Sequence, residues 1–357
     1  KKRKPVLKAT VKKKKVLITR LFRWKKSTWP VTILLNIQRA FIMRENKSAA
    51  KILLYHGVTA SASKGIENFS KKHIPIDEFE SQMAYLKENA TPLTLRDMVK
   101  YLKEDKSIPS NSVAVTFDDT YKNVHDVALP KLKKYQIPAT FFISTGFVGN
   151  NVRFWTDQIE HFINITPKEY IELKLNNGLA GFSVRGQMQK QKAVIDIKAE
   201  LKKMSPERRA AALLSLQAST EVNDNGNDVP NYANLTTTDL GNLDALPLFE
   251  VGGHTVNHEI LTFLNDDELN NEIYNCKKYL EDYLCRSIDL FAYPEGEKEH
   301  ISEHVISVLK NMDISICPTA INGLNYPGTD SFKLKRIMVG FMGERFPYQE
   351  YYERHKC

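Results

Sequence analysis

"SVAVTFDDTYKN", residues 112–123, joins an apolar run to two adjacent carboxylates, Asp118 and Asp119. Valine and phenylalanine alternate with smaller residues before the pair, a pattern typical of a buried strand. Two neighbouring carboxylates raise each other's proton affinity, so the pair costs free energy unless a cation or a chemical role requires it. The strand end therefore indicates either a helix cap or a functional pair, and the rest of the chain must decide between them.

Strand and helix patterns alternate from residue 51 onward. Strands are predicted at KILLYHGV (51–58), SVAVTFDD (112–119), IPATFFIST (137–145), FEVGGH (249–254), DLFAYP (289–294), ISICP (314–318) and FKLKRIMV (332–339). Helices are predicted at 77–88, 94–102, 122–135, 266–284 and 303–312. Strands separated by helices favour parallel pairing, in a barrel or a doubly wound sheet.

One stretch interrupts this alternation, at about residues 165–235. It contains the amphipathic helical region KAELKKMSPERRAAALLSLQAS (198–219) and a polar loop rich in Asn and Asp. We expect a helical insertion that caps one side of the functional site. The chain thus divides into a basic segment, 1–50, a barrel, 51–345, and a C-terminal tail, 346–357.

The positive net charge of +9 comes from the first 44 residues, which hold fifteen Lys or Arg and no Asp or Glu. Large apolar side chains are interleaved with these charges, and no uninterrupted apolar run approaches the roughly 20 residues of a membrane span. The mixture favours attachment to an anionic membrane surface over a disordered or nucleic-acid-binding arm, and we expect no nucleic-acid partner. Four cysteines without CxxC spacing indicate free thiols, which favour a cytoplasmic protein, peripheral at the membrane.

A second group of polar residues also follows a predicted strand. The strand FEVGGH ends in His254, and His258 follows four residues later, the spacing of two metal ligands on one face of a helical turn. The strand ILLYH ends in His56. In βα barrels the carboxyl ends of the strands meet at the face that carries the chemistry. These histidines and the Asp118–Asp119 pair are therefore expected at one place.

Three motifs, TFDDT, HTVNH and FAYPEG, occur in the order in which they stand in polysaccharide deacetylases with a NodB homology domain. The chain resembles this family, carbohydrate esterase family 4, over about residues 51–340 apart from the insertion. The early LLYHGV resembles relatives that act on poly-N-acetylglucosamine. The resemblance implies the α/β class, with a distorted (β/α) barrel of the NodB type and a helical insertion.

The resemblance also implies an activity and the residues that perform it. The expected reaction is metal-dependent hydrolysis of the N-acetyl group of a glycan, which releases acetate. One divalent metal ion, expected to be Zn²⁺ with other divalent transition metals as alternatives, would be bound by Asp119, His254 and His258. Asp118 would be the general base and His56 the general acid. The oxyanion and substrate would meet the turn of Tyr293, Pro294 and Glu295, where the backbone N–H of Glu295 is the donor.

Three positions depart from the family pattern. Thr120 replaces the usual Gly after the two aspartates, and Glu295 stands where an aromatic residue is common. Ala292 replaces the Arg that steadies the base. Arg336, in a late LKRI, either takes over that role or is an ordinary surface arginine.

Two other functions remain open from the sequence. The lost Arg suits a catalytically inactive, carbohydrate-binding relative. Two His and one carboxylate also describe non-haem Fe(II) oxygenases, although these enzymes need no second carboxylate beside the metal.

Overall fold

The computed structural model describes residues 49–104, 108–176, 178–223, 229–343 and 345–348. The basic segment 1–44, for which membrane contact is predicted, lies outside these residues, as does most of the C-terminal tail. Within the described part of the chain, every helix is too short or too polar to cross a membrane.

The described elements follow the predicted alternation. The strands are β1 (Lys51–Tyr55), β2 (Gly57–Thr59), β3 (His73–Pro75), β4 (Thr91–Pro92), β5 (Ser112–Phe117), β6 (Ala139–Ile143), β7 (Tyr170–Leu175), β8 (Gly178–Ser183), β9 (Phe249–Gly253) and β10 (Ile337–Met338). The helices are α1 (Ile76–Asn89), α2 (Leu95–Lys103), α3 (Leu129–Tyr135), α4 (Trp155–Ile165), α5 (Gln187–Leu201), α6 (Pro206–Thr220), α7 (Thr237–Asp244), α8 (Asp266–Leu284) and α9 (Glu303–Asn311). A π-helical turn, Val124–Ala128, leads into α3.

A six-stranded parallel sheet positions the site. Its main path runs β10-β1-β5-β6-β9, and β4 pairs with the beginning of β5. Every residue of β5, β6 and β9 is buried, as expected for a parallel sheet covered on both faces. Because all these strands run the same way, their carboxyl ends lie at one edge.

The predicted strands 289–294, 314–318 and 332–339 are much shorter than the sequence indicated. Beyond β9 the described pairing continues only as single bridges, Gly253 to Phe291 and Leu290 to Ile316, and the last strand keeps two residues. The chain crosses β9 closely here, since a Cβ on Gly252 would lie 2.7 Å from the Leu290 carbonyl oxygen. This close crossing distorts the barrel, so regular ladders give way to isolated bridges.

The insertion is more than the helical region that the sequence predicted. It contains an antiparallel hairpin, β7 with β8, and two helices, α5 and α6, in place of one continuous helical region. Its apolar side chains form a core of their own with α4, including Trp155, so the insertion begins about ten residues before residue 165. The alternation in YIELKL, residues 170–175, is a strand signal that the sequence analysis missed.

Candidate metal centre and active site

A cavity of about 300 Å³ opens at the carboxyl edge of the sheet. Its lining includes His56, Asp118, Asp119, His254, His258 and Glu295. These residues follow β1, β5 and β9 or belong to the turn after Phe291. Side chains that are up to 239 positions apart in the sequence therefore share one space.

Asp119, His254 and His258 bring three ligand atoms within 4.8 Å of one another. Asp119 Oδ1 lies 3.2 Å from Nε2 of His258 and 3.8 Å from Nε2 of His254. This buried oxygen accepts no hydrogen bond from any described residue. A carboxylate oxygen and two imidazole nitrogens facing a common point suit a divalent transition metal.

The backbone of Ala292 selects the tautomer of His254. Nδ1 of His254 lies 2.8 Å from the Ala292 carbonyl oxygen, to which it can only donate. Nε2 then keeps its lone pair toward Asp119, the usual arrangement of a metal-binding histidine. The substitution of Ala for Arg at 292 leaves this carbonyl contact intact.

Burial and charge keep these ligands in the forms that bind metal. Burial lowers the pKa of His254 to about 4, so that its ring is neutral near pH 7. Burial alone would raise the pKa of Asp119, but the nearby His258 outweighs it and holds the pKa below its ordinary value. A deprotonated carboxylate and a neutral imidazole are the forms that metal binding requires.

Three site residues adopt left-handed backbone conformations. The φ angles are +75° at Asp119, +57° at His258 and +60° at Glu295. Such conformations cost non-glycine residues on the order of 1–3 kcal/mol each and concentrate at functional sites. Thr120, which replaces the family's Gly, is buried, and its Oγ1 donates to the Ser144 carbonyl at 2.9 Å. The substitution therefore ties the end of β5 to the end of β6.

Arg336 holds Asp118 from a distant part of the chain. Its two terminal nitrogens each donate to one Asp118 oxygen at 2.7 Å, and its Nε donates to the Thr319 carbonyl at 2.7 Å. Its side chain is fully buried, so the interpretation of Arg336 as a surface arginine is wrong. Burial would raise the pKa of Asp118, but the guanidinium outweighs it and keeps the pKa below its ordinary value.

His56 lies between β1 and β2, with its ring 5.4 Å from the ring of Phe341. Its Nδ1 is buried and has no hydrogen-bond partner among the described residues. Burial lowers the pKa of His56, and the carboxylates of Asp119 and Asp118 oppose that shift. The ring is thus exposed to the cavity on the side of the two aspartates.

The turn predicted to hold the oxyanion contributes unequally to the cavity. Glu295 lines it, whereas Tyr293 and Pro294 are not among the lining residues. The Tyr293 hydroxyl is buried and donates to the Phe332 carbonyl at 3.1 Å. A direct side-chain contact between Tyr293 and a ligand in this cavity is therefore not supported, and the predicted role of the turn rests on Glu295.

The sequence analysis missed three lysines, Lys72, Lys198 and Lys202, that also line the cavity. Lys72 lies just before β3, and its ammonium donates to the Tyr121 hydroxyl at 2.6 Å and to Asp157. The other two come from the insertion, at the end of α5. Isolated lysines carry no motif, so only the fold shows where they lie.

Solved structures with the same fold include proteins named as deacetylases. Streptococcus pyogenes deacetylase PplD aligns with a TM-score of 0.53 and 18% identity, over 83% of this chain and 93% of that one. IcaB from Ammonifex degensii aligns with a TM-score of 0.53 and 19% identity, over 82% and 92%. At these identities the likeness shows the fold alone, which confirms the predicted NodB type.

Sequence relatives include poly-β-1,6-N-acetyl-D-glucosamine N-deacetylases. The protein from Staphylococcus epidermidis is 35% identical over 152 residues, which cover 39% of this chain and 49% of that protein. The protein from Staphylococcus aureus strain MSSA476 is 46% identical over 115 residues, 32% of this chain and 35% of that one. The matches thus span half or less of these relatives.

The family profile described as polysaccharide deacetylase matches residues 105–204 and 232–316, just over half of the chain. The interval between the two matched parts lies inside the insertion, and the second part includes His254, His258 and the turn at Glu295. The chain belongs to the polysaccharide deacetylase family.

Proposed function

We propose that this protein is a metal-dependent N-deacetylase of a glycan built from N-acetylglucosamine-type sugars. The observation that carries the proposal is the Asp119–His254–His258 ligand group beside an Asp118 that Arg336 grips at both oxygens. The names of the relatives support a poly-β-1,6-linked N-acetylglucosamine polymer as the substrate class.

A divalent metal, for which Zn²⁺ is our first expectation, would be held by Asp119, His254 and His258, polarise the acetamide carbonyl and lower the pKa of the attacking water. Asp118 takes the proton of that water. Its buried contact with Arg336 keeps the carboxylate ionised and fixes the direction of its oxygens. The base thus needs no ligand of its own to stay charged.

Two other groups complete the reaction. The backbone N–H of Glu295 donates to the oxygen on which negative charge develops, and such donors typically contribute about 10²–10³ in rate. His56 gives a proton to the departing sugar amine, because an amine leaves poorly until it is protonated. The products are acetate and a glucosamine-type residue.

The two alternative functions lose their motivation. A catalytically inactive relative was favoured by the missing Arg, but Arg336 supplies a guanidinium to Asp118. An Fe(II) oxygenase was favoured by the ligand set, but the chain belongs to the polysaccharide deacetylases.

Acetate release tests the proposal. Purified protein is incubated with a β-1,6-linked N-acetylglucosamine oligosaccharide, with a β-1,4-linked one and with a monosaccharide, and acetate is quantified enzymatically. We expect release from an oligosaccharide, loss of release after chelation, and recovery when Zn²⁺ is added back. Metal binding without acetate release from any substrate would refute the enzymatic function.

We also propose that residues 1–44 attach the protein to an anionic membrane surface from the cytoplasmic side. The support is compositional, a charge of +15 with interleaved Trp, Phe and Leu side chains. Sedimentation with vesicles of neutral and anionic lipid tests this attachment.

A further inference from the structure

The insertion touches both of the turns that carry the site, and it does so through charged side chains. Lys202, directly after α5, donates to the Glu295 carboxylate at 2.6 Å. Arg209, on α6, donates to the Glu259 carboxylate at 2.6 Å, and Glu259 follows the ligand His258. None of these four residues is assigned a role by the three motifs, except for the backbone of Glu295.

The turn at Glu295 is strained and needs external support. Glu295 and Gly296 both have left-handed φ angles, and the Gly296 N–H donates to the Pro294 carbonyl at 2.7 Å across the turn. On one side the Gly296 carbonyl accepts from the Ala320 N–H at 2.9 Å. On the other side the described contact of the Glu295 side chain is the ion pair with Lys202. Lys202 therefore fixes the direction in which the Glu295 N–H points.

The turn at His258 is also held from two sides. On the barrel side, Glu272 of α8 accepts from the Val256 and Asn257 N–H groups at 2.9 Å each. On the insertion side, Arg209 grips Glu259. Because His258 itself has a left-handed φ angle, both supports act on a conformation that the chain would otherwise leave.

Arg209 is built into the insertion rather than lying on its surface. It is 3% exposed, and its guanidinium lies 5.2 Å from the ring of Trp155. Trp155 belongs to the separate apolar core of the insertion. The position of the guanidinium is thus set by the packing of the insertion, which transmits that position to Glu259.

We infer that the insertion is a positioning element for the active site, in which Lys202 orients the oxyanion donor and Arg209 orients the metal ligand His258. The inference about Lys202 rests on the proposed deacetylase function, whereas the inference about Arg209 rests on metal binding alone. The two residues should then produce different defects, since a misaligned donor slows turnover and a misaligned ligand weakens metal binding.

The test separates these defects with matched controls. Lys202→Met is compared with Lys203→Met, whose ammonium pairs with the exposed Glu200 on the same helix. Arg209→Met is compared with Arg185→Met, whose partner Glu169 lies within the insertion. Glu259→Gln removes the same pair from the barrel side, in case Arg209→Met does not fold. Each variant is assayed for kcat and KM on the oligosaccharide, and for Zn²⁺ affinity by competition with a chromophoric chelator.

We expect Lys202→Met to lower kcat about 10- to 100-fold with little change in Zn²⁺ affinity. We expect Arg209→Met and Glu259→Gln to raise the Kd for Zn²⁺ about 10-fold or more. Kinetics of Lys202→Met equal to those of Lys203→Met, or Zn²⁺ affinities of Glu259→Gln equal to those of Arg185→Met, would overturn the corresponding half of the inference. If the wild-type protein releases no acetate, the proposed function fails, but the Zn²⁺ titrations still decide the role of Arg209.

Discussion

Replacing Arg336 with Met should cost both stability and turnover, because it leaves the Asp118 carboxylate buried without its cation. Asp118 is 5% exposed and Arg336 is fully buried. Breaking a buried ion pair by removing one partner typically destabilises a protein by about 3–5 kcal/mol. The two 2.7 Å contacts place this pair among the well-formed ones.

A second route to the same magnitude limits the loss. Without Arg336, Asp118 can avoid an uncompensated charge by binding a proton. At pH 7 that protonation opposes an ordinary carboxyl pKa of about 3.9, which amounts to about three pKa units at about 1.4 kcal/mol each. The expected loss is therefore about 4 kcal/mol, a large part of the 5–15 kcal/mol that stabilises a typical domain.

The sign of the pH dependence follows from the same pKa shift. In the wild-type protein the pKa of Asp118 is lowered on folding, so its contribution is present above the unfolded pKa and is lost as pH falls through the folded one. In Arg336→Met burial raises that pKa, so the variant instead loses stability as pH rises above about 4. The difference between the two proteins should thus grow from pH 4 to pH 7.

Urea unfolding at pH 4.5 and pH 7, together with acetate release, measures these effects. The double variant Arg336→Met/Asp118→Asn is the control, because it removes both charges and should regain part of the stability without regaining activity. A cost below about 1 kcal/mol for Arg336→Met at pH 7, or a double variant no more stable than the single one, would refute the reasoning.

The remaining predictions concern the other site residues and the basic segment. Asp119→Ala, His254→Ala and His258→Ala should each abolish tight Zn²⁺ binding and activity, since three ligands leave no spare one; full metal occupancy in any variant would contradict the ligand set. Asp118→Asn should keep the metal and lose about 10²–10⁴ in rate, with some loss of stability because Arg336 then faces a neutral amide; near-normal turnover would rule out the base. His56→Ala should keep the metal and lose amide cleavage far more than cleavage of an activated acetyl ester, whereas equal losses would make His56 structural. Deleting residues 1–44 should release the protein from anionic vesicles at low salt while its activity on soluble oligosaccharides remains, and equal vesicle binding with and without the segment would refute membrane attachment.

The sequence predicted the site where chemistry follows a regular strand. Asp118, Asp119 and His254 each come directly after a strand with a clear apolar pattern, and a parallel sheet brings such strand ends together. The lysines of the cavity and the partners of the insertion could not be found in this way. Lys202 meets Glu295 across 93 positions through an irregular turn, and neither residue belongs to a periodic pattern that fixes its direction.

The strands after β9 failed for a related reason. The runs 289–294 and 314–318 have β-branched and apolar residues, but Gly252 and Gly253 let the following chain cross so closely that ladders reduce to single bridges. Local propensity registers the apolar residues and not the crossing. The burial of these segments was thus predictable, and their regular pairing was not.

Ala292 and Arg336 have to be explained together. A base buried beside a metal needs one guanidinium that reaches both of its oxygens, and Arg336 satisfies this from the opposite side of β1, 218 positions away from Asp118. A second arginine at the fully buried position 292 would add a cation for which Asp118 has no free pair of oxygens, and an uncompensated buried charge costs several kcal/mol. With Ala at 292, only the backbone carbonyl remains active there, and it orients His254. The absence of the motif arginine is therefore the complement of Arg336, because the site can neutralise one buried guanidinium and not two.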